Sequence, residues 1–197
     1  MLSHRLLGVL SFVLFSVAGS ALPVTFTASL SGLNEVPVNP SAGTGFVTVT
    51  FDLAAHLLTV DATFSGLSSN TTASHIHAPG APGVNAQVAT QTPSFLGFPL
   101  GVTSGSFFNT LNTSLASTYN PAFVTSHGGT VAQAEADLYA ALLGGEAYFN
   151  IHSTAFPGGE IRGNLASIPD SGATALLAIP VLLALAVGAR HRRLIAR

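Results

Sequence analysis

The chain has 197 residues, of which only 7% are charged, and it contains no Cys and no Trp. All eight acidic side chains but a single cation, Arg162, fall within residues 22–170, a formal charge of −7. This argues against nucleic acid as a partner, since phosphate binding draws on clustered Lys and Arg. Without cysteine there are no disulfides, no thiolate catalysis and no thiolate metal sites, so any metal must be held by His and carboxylate. The length suits one domain with a proper core.

Residues 1–21 read as a secretory signal: Arg5, an apolar run over 6–17, then Ala18-Gly19-Ser20-Ala21 for cleavage. The run is shorter than the roughly 20 residues a membrane span needs. Residues 24–30 alternate strictly between apolar and Thr/Ser positions, the mark of a half-buried strand. A turn-rich loop over 31–43 follows and carries a lone carboxylate, Glu35. Residues 45–52 and 56–64 form a hairpin around a tight connection at 52–55.

Next comes Ser74-His75-Ile76-His77-Ala78-Pro79-Gly80, which ends in a Pro/Gly run that cannot continue a ladder. A further strand is expected over 102–111, and Asn120-Pro121 offers a helix start. Thr130 followed by Val131, Glu135, Leu138 and Leu142, stopped by Gly144-Gly145, predicts one amphipathic helix. Residues 146–152 and 159–165 return to strand. Seven or so short strands plus one inserted helix predict a mainly antiparallel all-β fold, an immunoglobulin-like or superoxide-dismutase-like β-sandwich or a partly closed barrel.

The tail consists of Ile168-Pro169-Asp170-Ser171-Gly172, an uncharged run over 173–189, and Arg190-His191-Arg192-Arg193. As a helix the run is about 25 Å long, just short of a ~30 Å hydrocarbon core, and extended slightly at either end it spans. The basic anchor of Arg190, Arg192 and Arg193 places the C-terminus in the cytoplasm and the body outside. The expected organisation is a signal peptide at 1–21, a domain at 22–166 and a C-terminal sorting segment with a transmembrane helix at 167–197.

Successive strand residues face opposite ways, so His75 and His77 share a face while Ile76 takes the other. Asn150 and His152 repeat the pattern around Ile151. A folded site can therefore collect His75, His77 and His152, and imidazole suits copper or zinc. The competing reading has these rings hydrogen-bonding backbone and carboxylates such as Glu35 or Glu160 to pin loops. Arg162 shares a face with Glu160, and its planar fork predicts a bidentate pair with Glu35 or Glu146, or recognition of an anionic ligand. His127 reads as a loop residue, and His56 carries no pattern. The chain shows no phosphate-cradling loop or paired catalytic carboxylates, and in Gly101-Val102-Thr103-Ser104-Gly105 the Ser is misplaced for a nucleophile elbow. No enzyme is expected.

Four stretches resemble, in order, the signature blocks of the CHRD domain, named from chordin: Leu30-Ser31-Gly32-Leu33-Asn34-Glu35-Val36-Pro37, Ser74-His75-Ile76-His77-Ala78-Pro79, Ala147-Tyr148-Phe149-Asn150-Ile151-His152 and Phe156-Pro157-Gly158-Gly159-Glu160-Ile161-Arg162-Gly163. That resemblance implies an extracellular all-β module with no established enzymatic activity. The strand-borne His-x-His is also similar to that of copper,zinc superoxide dismutases, but no matching set of further ligands and no disulfide accompany it. The tail resembles the VPDSG-type relatives of PEP-CTERM sorting signals, with Ile168 in place of the usual Val and Pro169, Asp170, Ser171 and Gly172 intact. This implies processing by an exosortase-type enzyme and delivery to the bacterial outer surface or its extracellular polysaccharide.

Overall fold

The computed structural model describes residues 22–168. The signal segment, the Pro169–Gly172 motif, the apolar run over 173–189 and the terminal arginines lie outside the described residues. Among the described residues, no helix is long and apolar enough to cross a membrane.

The strands are β1 (Val24–Ser31), β2 (Thr44–Asp52), β3 (Leu57–Ser65), β4 (Thr71–His77), β5 (Gly105–Asn112), β6 (Tyr148–Ser153), β7 (Ile161–Asn164) and the short β8 (Ala166–Ser167). They form one curled antiparallel sheet in the order β4-β6-β7-β1-β2-β3-β5, with β8 also pairing with β1. Among the described residues this is the partly closed barrel of the two expected architectures, one curled sheet in place of two. The join is β1: it pairs along its length with β2, and Ser31 opposite Arg162 ties it to β7. The gap between the edge strands β4 and β5 is bridged by the intervening loop, where Thr71 and Phe95 bond to Val102 and Ser74 through backbone amides.

Alternation sets the register. Phe26 lies opposite Val49, which lies opposite Val60, and Phe51 opposite Leu58. These five side chains are fully buried. Ile76, Phe149, Ile151 and Ile161 continue the same inner face at the other end of the sheet and are fully buried too.

Two helices pack on this core where one was expected. The first, α1 (Pro121–Ser126), begins with Pro at its first turn and an Asn120 side chain that accepts from the Ala122 amide. The second, α2 (Val131–Leu143), is capped by Thr130, which accepts from the Gln133 amide. Gly128 and Gly129, at φ 80° and 72°, turn the chain between them, a conformation that favours glycine. Phe123, Ala134, Leu138 and Leu142 enter the core cluster.

The outer face has two unlike halves. On β4, β6 and β7 it carries His75, His77, Tyr148, Asn150 and Arg162, all buried even though the sheet has its core on the opposite side. Loops cover them: the Glu35 loop, the segment after β4 and the turn before β7. On β1, β2, β3 and β5 no loop among the described residues covers it.

Candidate metal centre

His75 lies directly opposite Asn150, and His77 opposite Tyr148, in the β4–β6 ladder. His152 stands two residues beyond Asn150 on the same face. Each imidazole has one nitrogen held by a backbone carbonyl. His75 Nε2 lies 2.7 Å from the oxygen of Pro93, His77 Nδ1 2.8 Å from that of Ala86, and His152 Nδ1 2.9 Å from that of Pro157. A carbonyl only accepts, so each of these ring nitrogens is the protonated one. The remaining three nitrogens carry lone pairs, and they all lie within 4.8 Å of one another. A common point therefore sits within about 3 Å of all three, roughly 1 Å outside the 2.0–2.1 Å of a zinc–imidazole bond, so the rings must close in slightly to share one ion.

His75 Nδ1 and His152 Nε2 are 3.3 Å apart. With both tautomers fixed, two lone pairs face each other there, an arrangement that a shared cation would relieve. Two nitrogens bound tetrahedrally to one ion at roughly 2.0–2.1 Å stand about 3.3–3.4 Å apart, the observed spacing. A proton is a poor substitute at neutral pH. Burial lowers His75 and His77 to about 4, the carbonyls of Pro93 and Ala86 opposing it, and it lowers His152 as well. His77 Nε2 is buried with no partner. Outer nitrogens fixed on carbonyls, with inner ones converging, is the support that metal-bound histidines receive from their surroundings.

Arg162 is fully buried beside this cluster. The bidentate carboxylate pair expected of it does not form. Among the described residues the sole carboxylate contact with a basic side chain is that of Glu135 with His56. Arg162 instead donates to Val84 O at 2.7 Å and Asn85 Oδ1 at 3.0 Å, and lies over the Tyr148 ring at 3.4 Å from its centroid. The loop after β4 reaches the fork first, so no carboxylate does. Tyr148 stacks in turn on His77, with centroids 4.6 Å apart and planes 9° from parallel.

Glu35 is also buried, and Oε1 has no partner. Burial pushes its carboxyl up to about 7 against the pull of the Arg162 charge. Glu160 does not join Arg162 either. It accepts from Ser41 Oγ at 2.6 Å and from the Ser68 amide and hydroxyl at 2.6 and 2.8 Å, tying two loops together. Among the described residues no carboxylate contacts His75, His77 or His152, so the carboxylate part of the loop-pinning reading fails while its backbone part holds.

The CHRD domain family matches residues 26–165, well over half of the chain. The chain belongs to the CHRD domain family. Comparison with curated proteins and with solved structures gives no match. CHRD membership suggests an extracellular binding or structural module. Sequence reasoning missed Tyr148 and Asn85 as partners of Arg162. Tyr148 could have been found, because it precedes Asn150 by two and so shares the histidine face. Asn85 lies in a loop with no periodicity to read.

Proposed function

We propose that this CHRD domain is an exported envelope module that holds a copper or zinc ion through His75 Nδ1, His77 Nε2 and His152 Nε2. One observation carries the reading: three lone-pair nitrogens converge within 4.8 Å while every outer ring nitrogen is fixed on a backbone carbonyl. Three neutral imidazoles leave a fourth position on a tetrahedral ion for water or another ligand. A metal-free scaffold is the weaker account, because it leaves the lone pairs of His75 and His152 opposed.

Titration of the purified protein with Cu(II) or Zn(II), followed by calorimetry, tests this. One equivalent should bind, with affinity at least a hundredfold above that of a His75→Ala/His77→Ala double variant. Equal affinity in the two proteins would discard the metal reading.

Export and sorting rest on the sequence resemblance of the two termini. In this reading an exosortase-type enzyme removes the membrane helix after Pro169-Asp170-Ser171-Gly172 has been recognised, and the domain reaches the outer surface. Mass spectrometry of the mature protein from its host checks both ends. A C-terminus intact through Arg197 would count against processing.

A further inference from the structure

The half of the outer face that no described loop covers is a registered array of hydroxyls. Cross-strand pairing places Thr25, Thr50, Thr59 and Thr110 in one row across β1, β2, β3 and β5. Within it Thr25 bonds Thr50 at 3.2 Å and Thr59 bonds Thr110 at 3.0 Å, hydroxyl to hydroxyl. The next row is Thr27, Thr48, Asp61 and Phe108, and the third is Ser29, Phe46, Thr63 and Ser106. Nine of these twelve positions bear hydroxyls and one is ionisable, so neither charge nor a continuous oily patch defines the surface.

Two large apolar side chains break the pattern. Phe108 is 71% exposed and Phe46 47%. Beside Phe46 lies a shallow cleft of about 310 Å³ lined by Thr44, Gly45, Phe46, Thr63, Phe64 and Ser65. Three of its six lining residues bear hydroxyls and two are phenylalanines.

We propose that this face binds a neutral polysaccharide chain, with Phe46 and Phe108 as stacking platforms and the cleft beside Phe46 as one sugar subsite. A pyranose ring has an apolar C–H face and a rim of hydroxyls, the two chemistries this surface offers side by side. Thr and Ser hydroxyls both donate and accept, so they can follow sugar hydroxyls in either role. With Asp61 as its one ionisable group the face has no cation to attract an anionic polymer. A protein partner fits less well, since interface cores are enriched in aromatics and Arg and depleted in Ser. Phe46 and Phe108 sit two strand spacings apart and one side-chain pair out of step, so their roots are roughly 12 Å from each other. One sugar cannot meet both, which selects an extended chain. The inference is independent of the histidine cluster.

The test is retention of the full chain on insoluble cellulose, chitin and starch granules, with alginate as the anionic control. Thr has high strand propensity, so Phe46→Thr/Phe108→Thr should fold, which a thermal melt checks. Retention on at least one neutral polymer is expected, at least tenfold weaker in this double variant and unchanged when a metal chelator is added to the parent protein. Absence of retention on all three neutral polymers overturns the proposal, as does equal retention by the Phe variant or a preference for alginate. Self-association abolished by the Phe variant would assign the face to a second copy of the chain, and would overturn it too.

Discussion

Arg162 lies over the ring of Tyr148, 3.4 Å from guanidinium carbon to ring centroid, while His77 stacks on that ring from the neighbouring strand. Because β6 runs between β4 and β7, the phenol stands between a candidate metal ligand and the one cation of the body. A buried guanidinium without a carboxylate within ion-pair distance is held by the aromatic face and by Val84 O and Asn85 Oδ1. Removing it empties a fully buried space over Tyr148 and takes the donor from two acceptors in the exposed loop after β4. Arg162→Ala should cost about 3 kcal/mol or more, and Arg162→Lys should recover less than half, since an ammonium cannot both stack and fork. Urea unfolding reads both, and a loss below about 0.5 kcal/mol in Arg162→Ala would contradict the assignment.

Glu35 gives the fold a pH dependence of known sign. Its folded carboxyl stands at about 7 against an ordinary 4.5 because burial disfavours the charge. Between those values the folded chain keeps a proton that the unfolded chain has released, so this group's contribution to stability falls as pH rises. Glu35→Gln mimics the protonated form. Its stability relative to the parent should rise from near zero at pH 4 to about 2–3 kcal/mol at pH 8, because each pH unit between the two values is worth at most about 1.4 kcal/mol. Paired denaturation curves at the two pH values, with chelator present, measure the gap. A gap of equal size at both would refute the assignment.

His56 closes the β2–β3 turn with φ 55° and lies 2.9 Å from both carboxylate oxygens of Glu135 on α2. Thr113 donates its hydroxyl to the same carboxylate. Two opposing effects meet at one residue: the contact ties helix to hairpin, and the left-handed backbone costs any side chain more than Gly, His less than most. His56→Gly should therefore be close to neutral, within about 0.5–1 kcal/mol, because it loses the tie and relieves the strain. Glu135→Ala loses the tie and leaves the Thr113 hydroxyl unpartnered, so it should cost about 2 kcal/mol. Thermal melts rank the two, and the opposite order would refute the argument.

Alternation made most of the sheet readable. The strict pattern of residues 24–30 and the hairpin over 45–64 appear as β1, β2 and β3 within one residue or so. His75 and His77 do face away from Ile76, and His152 away from Ile151, so the shared faces were readable in the residue pattern, whereas the β4–β6 pairing that joins His152 to the other two was not. What covers it was not. The acceptors from Pro93, Ala86 and Pro157 are backbone carbonyls in loops, which leave no trace in side-chain identity. The same holds for Arg162, whose fork is taken by Val84 O rather than by a carboxylate. His56 carried no pattern because its partner is 79 residues away on a helix. The turn between α1 and α2 was marked by Gly128 and Gly129, but a six-residue helix is too short for a periodic signal.

The depressed basicity of the histidines gives the proposed metal centre its own signature. Metal must displace protons from its ligands, and an ordinary imidazole, half protonated near 6.5, competes strongly in mild acid. Three such groups would lose on the order of 10³–10⁴ in metal affinity between pH 7 and 5. Burial lowers His75 and His77 to about 4, so these two are already deprotonated at pH 5, and it lowers His152 as well. The energetic cost is carried by the fold. Between about 6.5 and 4 the unfolded chain binds protons that the folded chain does not, so metal-free stability declines as pH falls through that window. Zn(II) or Cu(II) affinity, measured by competition at pH 7 and at pH 5, should differ by less than about tenfold in the parent protein. A decline of a thousandfold would mean that the imidazoles titrate as surface groups, and the buried three-histidine site would have to be abandoned.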